Sequence, residues 1–128
     1  MGSAAGLLLD AGKLRLAFQY YIKGKNSGAE HSICGAIMAL DRYKKQVGKL
    51  LDYVIAGHHG GIPDGGDAPS GLNDRLADAR DLNLLADMAP WPESLVLPEL
   101  LALKPRNCAR KELAFELHFL TRMLFYAR

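Results

Sequence analysis

An amphipathic segment that ends in two adjacent histidines constrains the fold of this chain more than any other feature. Aliphatic residues recur there at the spacing of one helical face; they are Val47, Leu50, Leu51, Val54 and Ile55. Because residues three and four apart share one side of an α-helix, the pattern predicts a helix over about 44–57. Gly57 ends this helix and His58 and His59 follow at once, so both lie where the backbone can turn.

The composition favours helices over strands along the whole chain. Leucine and alanine are abundant, whereas valine and isoleucine are sparse, and the first pair has the higher helix propensity. Apolar periodicity and glycine or proline breaks predict further helices at residues 4–22, with an interruption near Gly12, and at 31–43, 72–85 and 110–126. The chain of 128 residues has no internal repeat, so we expect one all-α domain of five or six helices over residues 1–128.

Charge and cysteine usage narrow the cellular setting only moderately. The net charge of +2 neither requires nor excludes nucleic acid, because a local basic patch matters more than the total. The longest apolar stretches are too short to cross a bilayer, and the N-terminal apolar run lacks the basic residues of a signal peptide. Cys34 and Cys108 have no CxxC spacing, so we interpret them as buried thiols in a reduced, cytoplasmic environment, without membrane association.

The histidine pair has two possible interpretations. Neutral imidazole is the commonest nitrogen ligand of transition metals. Adjacent side chains on a regular helix point about 100° apart, but the glycines at 57, 60 and 61 allow both rings to face one ion. The alternative is a helix C-terminus at which the histidines interact with the negative end of the helix dipole.

Asp10 and Lys13 form a second candidate pair, in the segment LLLDAGK. Their spacing places both side chains on one face of a helix. A carboxylate beside a lysine is typical of a metal ligand next to a cation that holds phosphate, but also of a surface ion pair. Asp10 follows three leucines, which indicates a helix entering the core, where a carboxylate needs a partner.

The remaining candidates are weaker when each is taken alone. His31 opens the second helix, where a lone histidine is more often a capping or partly buried residue than a ligand. His118 has apolar neighbours and no other ligand nearby in sequence, which favours a structural role. Basic and aromatic residues mix at 42–49, and Lys23 and Lys25 precede His31. These residues are candidates for contact with a nucleic-acid backbone, although a solvated helix face explains the 42–49 run better.

The order of these residues resembles the HD-domain superfamily of metal-dependent phosphohydrolases. The closer resemblance is to the HD nuclease domain of the CRISPR-associated helicase–nuclease of type I systems. Four segments carry it; they are AGLLLDAGKLRLAFQYYIKG (5–24), AEHSICGA (29–36), YVIAGHHGGIPDGGD with the following LNDRL (53–67 and 72–76), and ELAFELHFLTRMLFYAR (112–128). The run AGHHGGIPD is the most specific of them, and the match covers nearly the whole chain in order.

The resemblance implies an HD-domain-like helical bundle that hydrolyses phosphodiester bonds, preferentially in single-stranded DNA, with divalent transition metals. It also implies functional residues at six positions. These are the metal ligands Asp10, His31, His58 and His59, the catalytic Lys13 near the scissile phosphate, and Ser32, which would orient His31 without binding the metal itself.

Departures from the family pattern limit this expectation. The histidine of the family's HD motif falls on Leu9, and Glu30 stands where the family usually has aspartate. The family's upstream histidine and final aspartate have no counterpart in residues 1–128, so we expect a domain incomplete at both ends. The remaining residues predict a single ion of manganese, nickel, cobalt, iron or zinc.

Three functions follow from the resemblance and its departures. The first is a CRISPR-associated nuclease with weakened or lost activity, working beside a helicase domain or a CRISPR surveillance complex. The second is a catalytically dead HD-like interaction or regulatory module of a defence complex. The third, ranked last, is a phosphohydrolase acting on nucleotides. Because truncated helices expose core surface, a homodimer is a further expectation.

Overall fold

The computed structural model describes residues 1–25, 28–43, 45–61, 63–64 and 71–100. Within these ranges the chain forms α-helices, one short 3-10 helix and a single isolated β-bridge, between Arg15 and Met88. The predicted all-α class is therefore confirmed for this part of the chain. The predicted final helix at 110–126 lies outside the described residues.

Five α-helices make up the described part. They are α1 (Gly2–Leu9), α2 (Leu16–Ile22), α3 (Ser32–Tyr43), α4 (Lys45–Ala56) and α5 (Leu72–Asp81), with the 3-10 helix Ala11–Leu14 between α1 and α2. The interruption predicted near Gly12 is confirmed as this 3-10 segment. None of the described helices has the length and apolar character needed to cross a membrane.

Helix α5 ends earlier than the predicted residue 85. Asn83 adopts the left-handed conformation with φ of 49°, which stops a right-handed helix. The Leu84 amide then donates to the Ala79 carbonyl at 3.0 Å and the Asn83 amide to the Arg80 carbonyl at 2.9 Å. This pairing satisfies the last carbonyls of the helix and reverses the chain, as asparagine at this position commonly does.

The helical hairpin of α3 and α4 forms the centre of the core. Both helices bury aliphatic side chains against each other and against α1; the most deeply buried include Leu8, Ile33, Ile37, Leu51 and Ile55. Gly35 of α3 lies against the Leu8 carbonyl, so that any side chain at position 35 would overlap the α1 backbone. The hairpin places the beginning of α3 beside the end of α4, and this end of the bundle carries the candidate site.

Arg15 joins three segments of chain near that end. Its Nε donates to Asp87 Oδ1 at 2.6 Å and its Nη1 donates to the Glu30 carbonyl at 2.9 Å. The other Asp87 oxygen accepts from the Ala17 amide at 3.1 Å. Burial raises the pKa of Asp87, but the hydrogen bonds from Arg15 and Ala17 outweigh it and hold that pKa below its usual value. Arg15 thereby fixes the backbone immediately before His31.

Candidate metal centre

Three histidines converge at one end of the α3–α4 hairpin. His31 immediately precedes α3, while His58 and His59 follow the end of α4. One ligand atom from each ring lies within 4.8 Å of the others. Residues 28 positions apart in sequence are therefore brought together by the antiparallel packing of two helices.

The spacing of the rings suits a shared metal ion. The Nε2 atoms of His31 and His59 are 2.8 Å apart, and the ring centroids of His58 and His59 are 3.9 Å apart. Two nitrogens bound to one ion at about 2.1 Å lie about 3.0 Å apart at a right angle and about 3.4 Å apart at a tetrahedral angle. The His31–His59 separation is close to the first of these values, and the ligand atom of His58 lies within 4.8 Å of the other two.

A backbone carbonyl fixes the tautomer of His58. Its Nδ1 lies 2.7 Å from the Ile55 carbonyl oxygen, which can only accept, so Nδ1 carries the proton and Nε2 carries the lone pair. For His31, the backbone of Ala29 is a nearby group that raises the pKa of the ring. Metal-binding histidines commonly donate their second N–H to a carbonyl oxygen such as that of Ile55.

The local environment keeps these imidazoles in the neutral form that binds metals. Burial, followed by the neighbouring His59, lowers the pKa of His31 below its usual value, against the opposing effects of Ala29 and Glu30. Burial also lowers the pKa of His58, and the hydrogen bond to Ile55 only partly offsets it. Both lowered pKa values favour the neutral form of the ring at neutral pH.

Two glycines determine the backbone path around the histidines. Gly61 has φ of 92°, a conformation that side chains disfavour, and its amide donates to the Gly57 carbonyl at 2.8 Å. Gly12, on the 3-10 helix, lies against the His31 backbone so closely that a Cβ atom there would overlap it. The turn after α4 was predicted from the glycines, whereas the contact of Gly12 with His31 was not.

Asp10 and Lys13 lie near the histidines but outside the cluster. Lys13 Nζ is 2.8 Å from Asp10 Oδ1 and both side chains are partly solvent-exposed. Asp10 raises the pKa of His58 and Lys13 lowers the pKa of His31, as minor contributions to each. The ion-pair interpretation is therefore confirmed, while the role of Asp10 as a ligand and of Lys13 as a catalytic cation stay predictions.

Ser32 acts together with Glu30 at the beginning of α3. Its hydroxyl donates to Glu30 Oε1 at 2.7 Å, and the same oxygen accepts from the amides of Ser32 at 3.0 Å and Ile33 at 3.3 Å. Burial raises the pKa of Glu30, but these hydrogen bonds and the charge of Arg75 together outweigh burial and lower that pKa. Ser32 thus secures the first turn of α3 beside His31; a direct effect of its hydroxyl on the ring stays a prediction.

Two residues near the site, Phe18 and Arg75, were not predicted from the sequence to lie there. The buried ring of Phe18 lies against His31, with centroids 4.8 Å apart. A cleft of about 500 Å³ opens beside His31 and His59; its other lining residues include Glu30, Ser32, Pro63 and Arg75. Arg75 lies on α5. In the sequence, the only indication of its position near the site was that it belongs to the segment LNDRL (72–76), which resembles the family.

Among the described residues, Cys34 and the residue at the family's motif-histidine position, Leu9, do not belong to the histidine cluster. Cys34 is buried, as predicted, and burial raises the pKa of its thiol, which makes it a poor nucleophile. Leu9, at the position of the family's motif histidine, is packed in the protein with 8% of its surface exposed. His118 and Cys108 lie outside the described residues.

Comparison of the chain with protein-family models, curated proteins and solved structures finds no significant match.

Proposed function

We propose that the protein is a metal-dependent phosphodiesterase of the HD type, and that it acts on single-stranded DNA as a CRISPR-associated nuclease. The observation that carries this proposal is the convergence of His31, His58 and His59 within 4.8 Å. Three imidazoles, one with a tautomer fixed by a carbonyl, are a donor set that fits a divalent transition ion. Sites with three protein ligands leave coordination positions open, which is typical of catalytic metals.

The proposed ion is manganese, nickel, cobalt, iron or zinc, and one ion suffices for the histidines present. When bound, it supplies Lewis-acid chemistry to the phosphodiester. The protein's own groups then position the substrate. Lys13, with 44% of its side chain exposed, offers a cation to a phosphate oxygen, and Asp10 holds the lysine in place.

Helix α2 carries features that suit a single strand. Tyr20 and Tyr21 are exposed to 46% and 44%, and the Lys25 ammonium lies 5.6 Å from the Tyr20 ring centroid. Exposed aromatic rings beside lysines are typical of surfaces on which bases stack while cations follow the backbone. With the resemblance, this arrangement supports action on single-stranded DNA beside a helicase domain or a CRISPR surveillance complex. The proposed location is the cytoplasm, and the proposed assembly is a homodimer.

The proposal is tested by incubating purified protein with single-stranded DNA and manganese, nickel or cobalt. His58→Ala should abolish cleavage, because it removes a ligand whose orientation the Ile55 carbonyl fixes at 2.7 Å. Gly6→Ala, where an added Cβ would meet nothing within 4 Å, is the control and should leave cleavage in place. Cleavage that survives His58→Ala would identify a contaminating nuclease and contradict the proposal.

A second candidate function, a catalytically dead interaction module, is favoured by Leu9. An apolar side chain with only 8% of its surface exposed occupies the position at which the family has a metal ligand. Restoring histidine with Leu9→His separates the two. Increased metal affinity would indicate that the site is preformed around position 9, whereas unchanged affinity without any turnover would favour the interaction module.

A further inference from the structure

Among the described residues that line the cleft beside the histidines, one side chain is cationic, that of Arg75. The cleft has a volume of about 500 Å³, which is within the range of about 300–1,000 Å³ typical of small-ligand sites. His31 and His59 form part of the same wall. A ligand in this cleft would therefore contact both the candidate metal centre and the arginine.

Arg75 is held at the cleft by the packing of α5. Leu72 and Leu76, four residues apart, are both buried and anchor one face of the helix in the core. Arg75 lies beside this face with 32% of its side chain exposed. The guanidinium is thus positioned by a regular helix while remaining accessible to a ligand.

The donors of Arg75 are largely available for a ligand. Its Nη2 lies 3.8 Å from Glu30 Oε2, which is an electrostatic contact beyond hydrogen-bond distance. Among the described residues, its guanidinium makes no hydrogen bond. By contrast, Arg80 on the same helix donates to Asp41 at 2.8 Å and Arg15 binds Asp87 at 2.6 Å.

Glu30 places an acidic group in the cleft but does not occupy the N–H donors of Arg75. Its Oε1 accepts from Ser32 and Ile33 at the beginning of α3, and only Oε2 faces Arg75. A guanidinium has five N–H donors and binds phosphate with two of them at once. An arriving phosphate can therefore engage Arg75 while Glu30 keeps its hydrogen bonds to α3.

We propose that Arg75 binds a phosphate of the nucleic-acid strand next to the scissile phosphate, and so positions the strand across His31 and His59. This inference rests on the proposed function. Lys13 does not line the cleft, so the two cations hold different phosphates. Arg75 is a positioning residue, and it acts on substrate binding more than on the chemical step.

The test compares Arg75→Met with Arg80→Met on the same helix, whose ion pair with Asp41 lies outside the cleft. For a single-stranded oligonucleotide, Arg75→Met should raise KM by about tenfold or more, because a charge-assisted hydrogen bond is lost. Its kcat and bound metal should stay near those of the wild type. Arg75→Lys should recover part of the affinity, and Arg80→Met should behave as the wild type.

A small diester, bis(p-nitrophenyl) phosphate, separates positioning from structural damage because it has no neighbouring phosphate. Arg75→Met should cleave it as well as the wild type does. Equal loss on both substrates, or loss of bound metal, would show that Arg75 merely supports the fold and would overturn the inference.

Binding measurements keep the test independent of turnover. Fluorescence anisotropy of a labelled oligonucleotide should show weaker binding by Arg75→Met and a salt slope smaller by about 0.7. Wild-type protein that binds the strand but neither holds metal nor cleaves it would contradict the proposed function while leaving the role of Arg75 supported. Equal binding by wild type and Arg75→Met, or no binding by either, would overturn this inference.

Discussion

Gly12 lies directly against the backbone of His31, and the two residues belong to segments that the sequence separates by a helix and a loop. The 3-10 turn carrying Gly12 follows Asp10, and His31 immediately precedes α3. The absence of a side chain at position 12 therefore determines how closely the Asp10–Lys13 pair approaches the histidines.

Gly12→Ala should displace His31, because the added Cβ would overlap the His31 carbonyl group. We expect a stability loss of roughly 1–3 kcal/mol and a metal affinity lower by about tenfold or more. Urea unfolding and metal titration measure the two effects. Gly6→Ala is the matched control, because nothing lies within 4 Å of a Cβ there; it should bind metal as the wild type does. A Gly12→Ala protein with unchanged metal affinity would disprove the positioning role of Gly12.

The Arg15–Asp87 pair should contribute strongly to stability. Asp87→Asn removes the charge that faces Arg15, whose side chain is only 10% exposed, and leaves a buried cation poorly paired. We expect a loss of roughly 3 kcal/mol in the free energy of unfolding. Arg42→Met, which breaks an exposed pair with Glu99, should cost less than about 1 kcal/mol. If Asp87→Asn and Arg42→Met lowered the free energy of unfolding equally, the buried pair would contribute no more than the exposed pair, against our expectation.

The sign of the pH effect at Asp87 follows from its pKa. The folded state lowers the pKa of Asp87. The stabilisation of the fold by the ionised carboxylate is therefore present above the pKa of the unfolded state, and it is lost as the pH falls through the pKa of the folded state. The destabilisation caused by Asp87→Asn should therefore shrink in acid. Unfolding curves at acidic and neutral pH provide the measurement, and a loss that grows in acid would contradict the assignment.

Asp52 should change the free energy of unfolding with pH in the opposite direction to Asp87. It is fully buried on α4, 3.1 Å from Lys49 Nζ, and burial raises its pKa from 3.8 to about 6 despite the lysine. The folded state then binds the proton more tightly than the unfolded state does. The stabilisation by this group is therefore present below about pH 4 and declines as the pH rises through about 6, by at most about 3 kcal/mol.

Asp52→Asn isolates this effect, since asparagine cannot ionise. Its free energy of unfolding relative to the wild type should increase between pH 4 and pH 7, the window that spans the unfolded value and the folded value of about 6. Asp41→Asn alters an exposed ion pair, and its difference from the wild type should vary by less than about 1 kcal/mol. A pH-independent difference for Asp52→Asn would refute the elevated pKa.

The sequence allowed prediction of the elements whose causes are local. The aliphatic spacing at 47–55 and the glycines after it were enough for α4 and its turn, and α4 ends at Ala56, one residue before the predicted end. The break near Gly12 was also expected. The early end of α5 was missed because an asparagine in the left-handed conformation, unlike a proline or glycine, gives little warning in sequence.

The site residues that belong to recognisable sequence motifs could be predicted, whereas contacts that arise only from the packing of distant helices could not. His31, His58 and His59 were named together and do converge. The contacts of Gly12 and Phe18 with His31, and the entry of Arg75 into the cleft, depend on how distant helices cross. Apolar periodicity indicates which face of a helix is buried, but it does not identify the residues of other helices that contact this face.

The most direct test of the metal centre is the metal-to-chain ratio of purified protein after equilibration with nickel or zinc and removal of excess ion. The three converging histidines predict one bound ion per chain in the wild type and a large loss in His59→Ala, with the Gly6→Ala control unchanged. A wild-type protein that retains no ion, or a His59→Ala variant that retains as much as the wild type, would contradict the assignment of His31, His58 and His59 as a metal site.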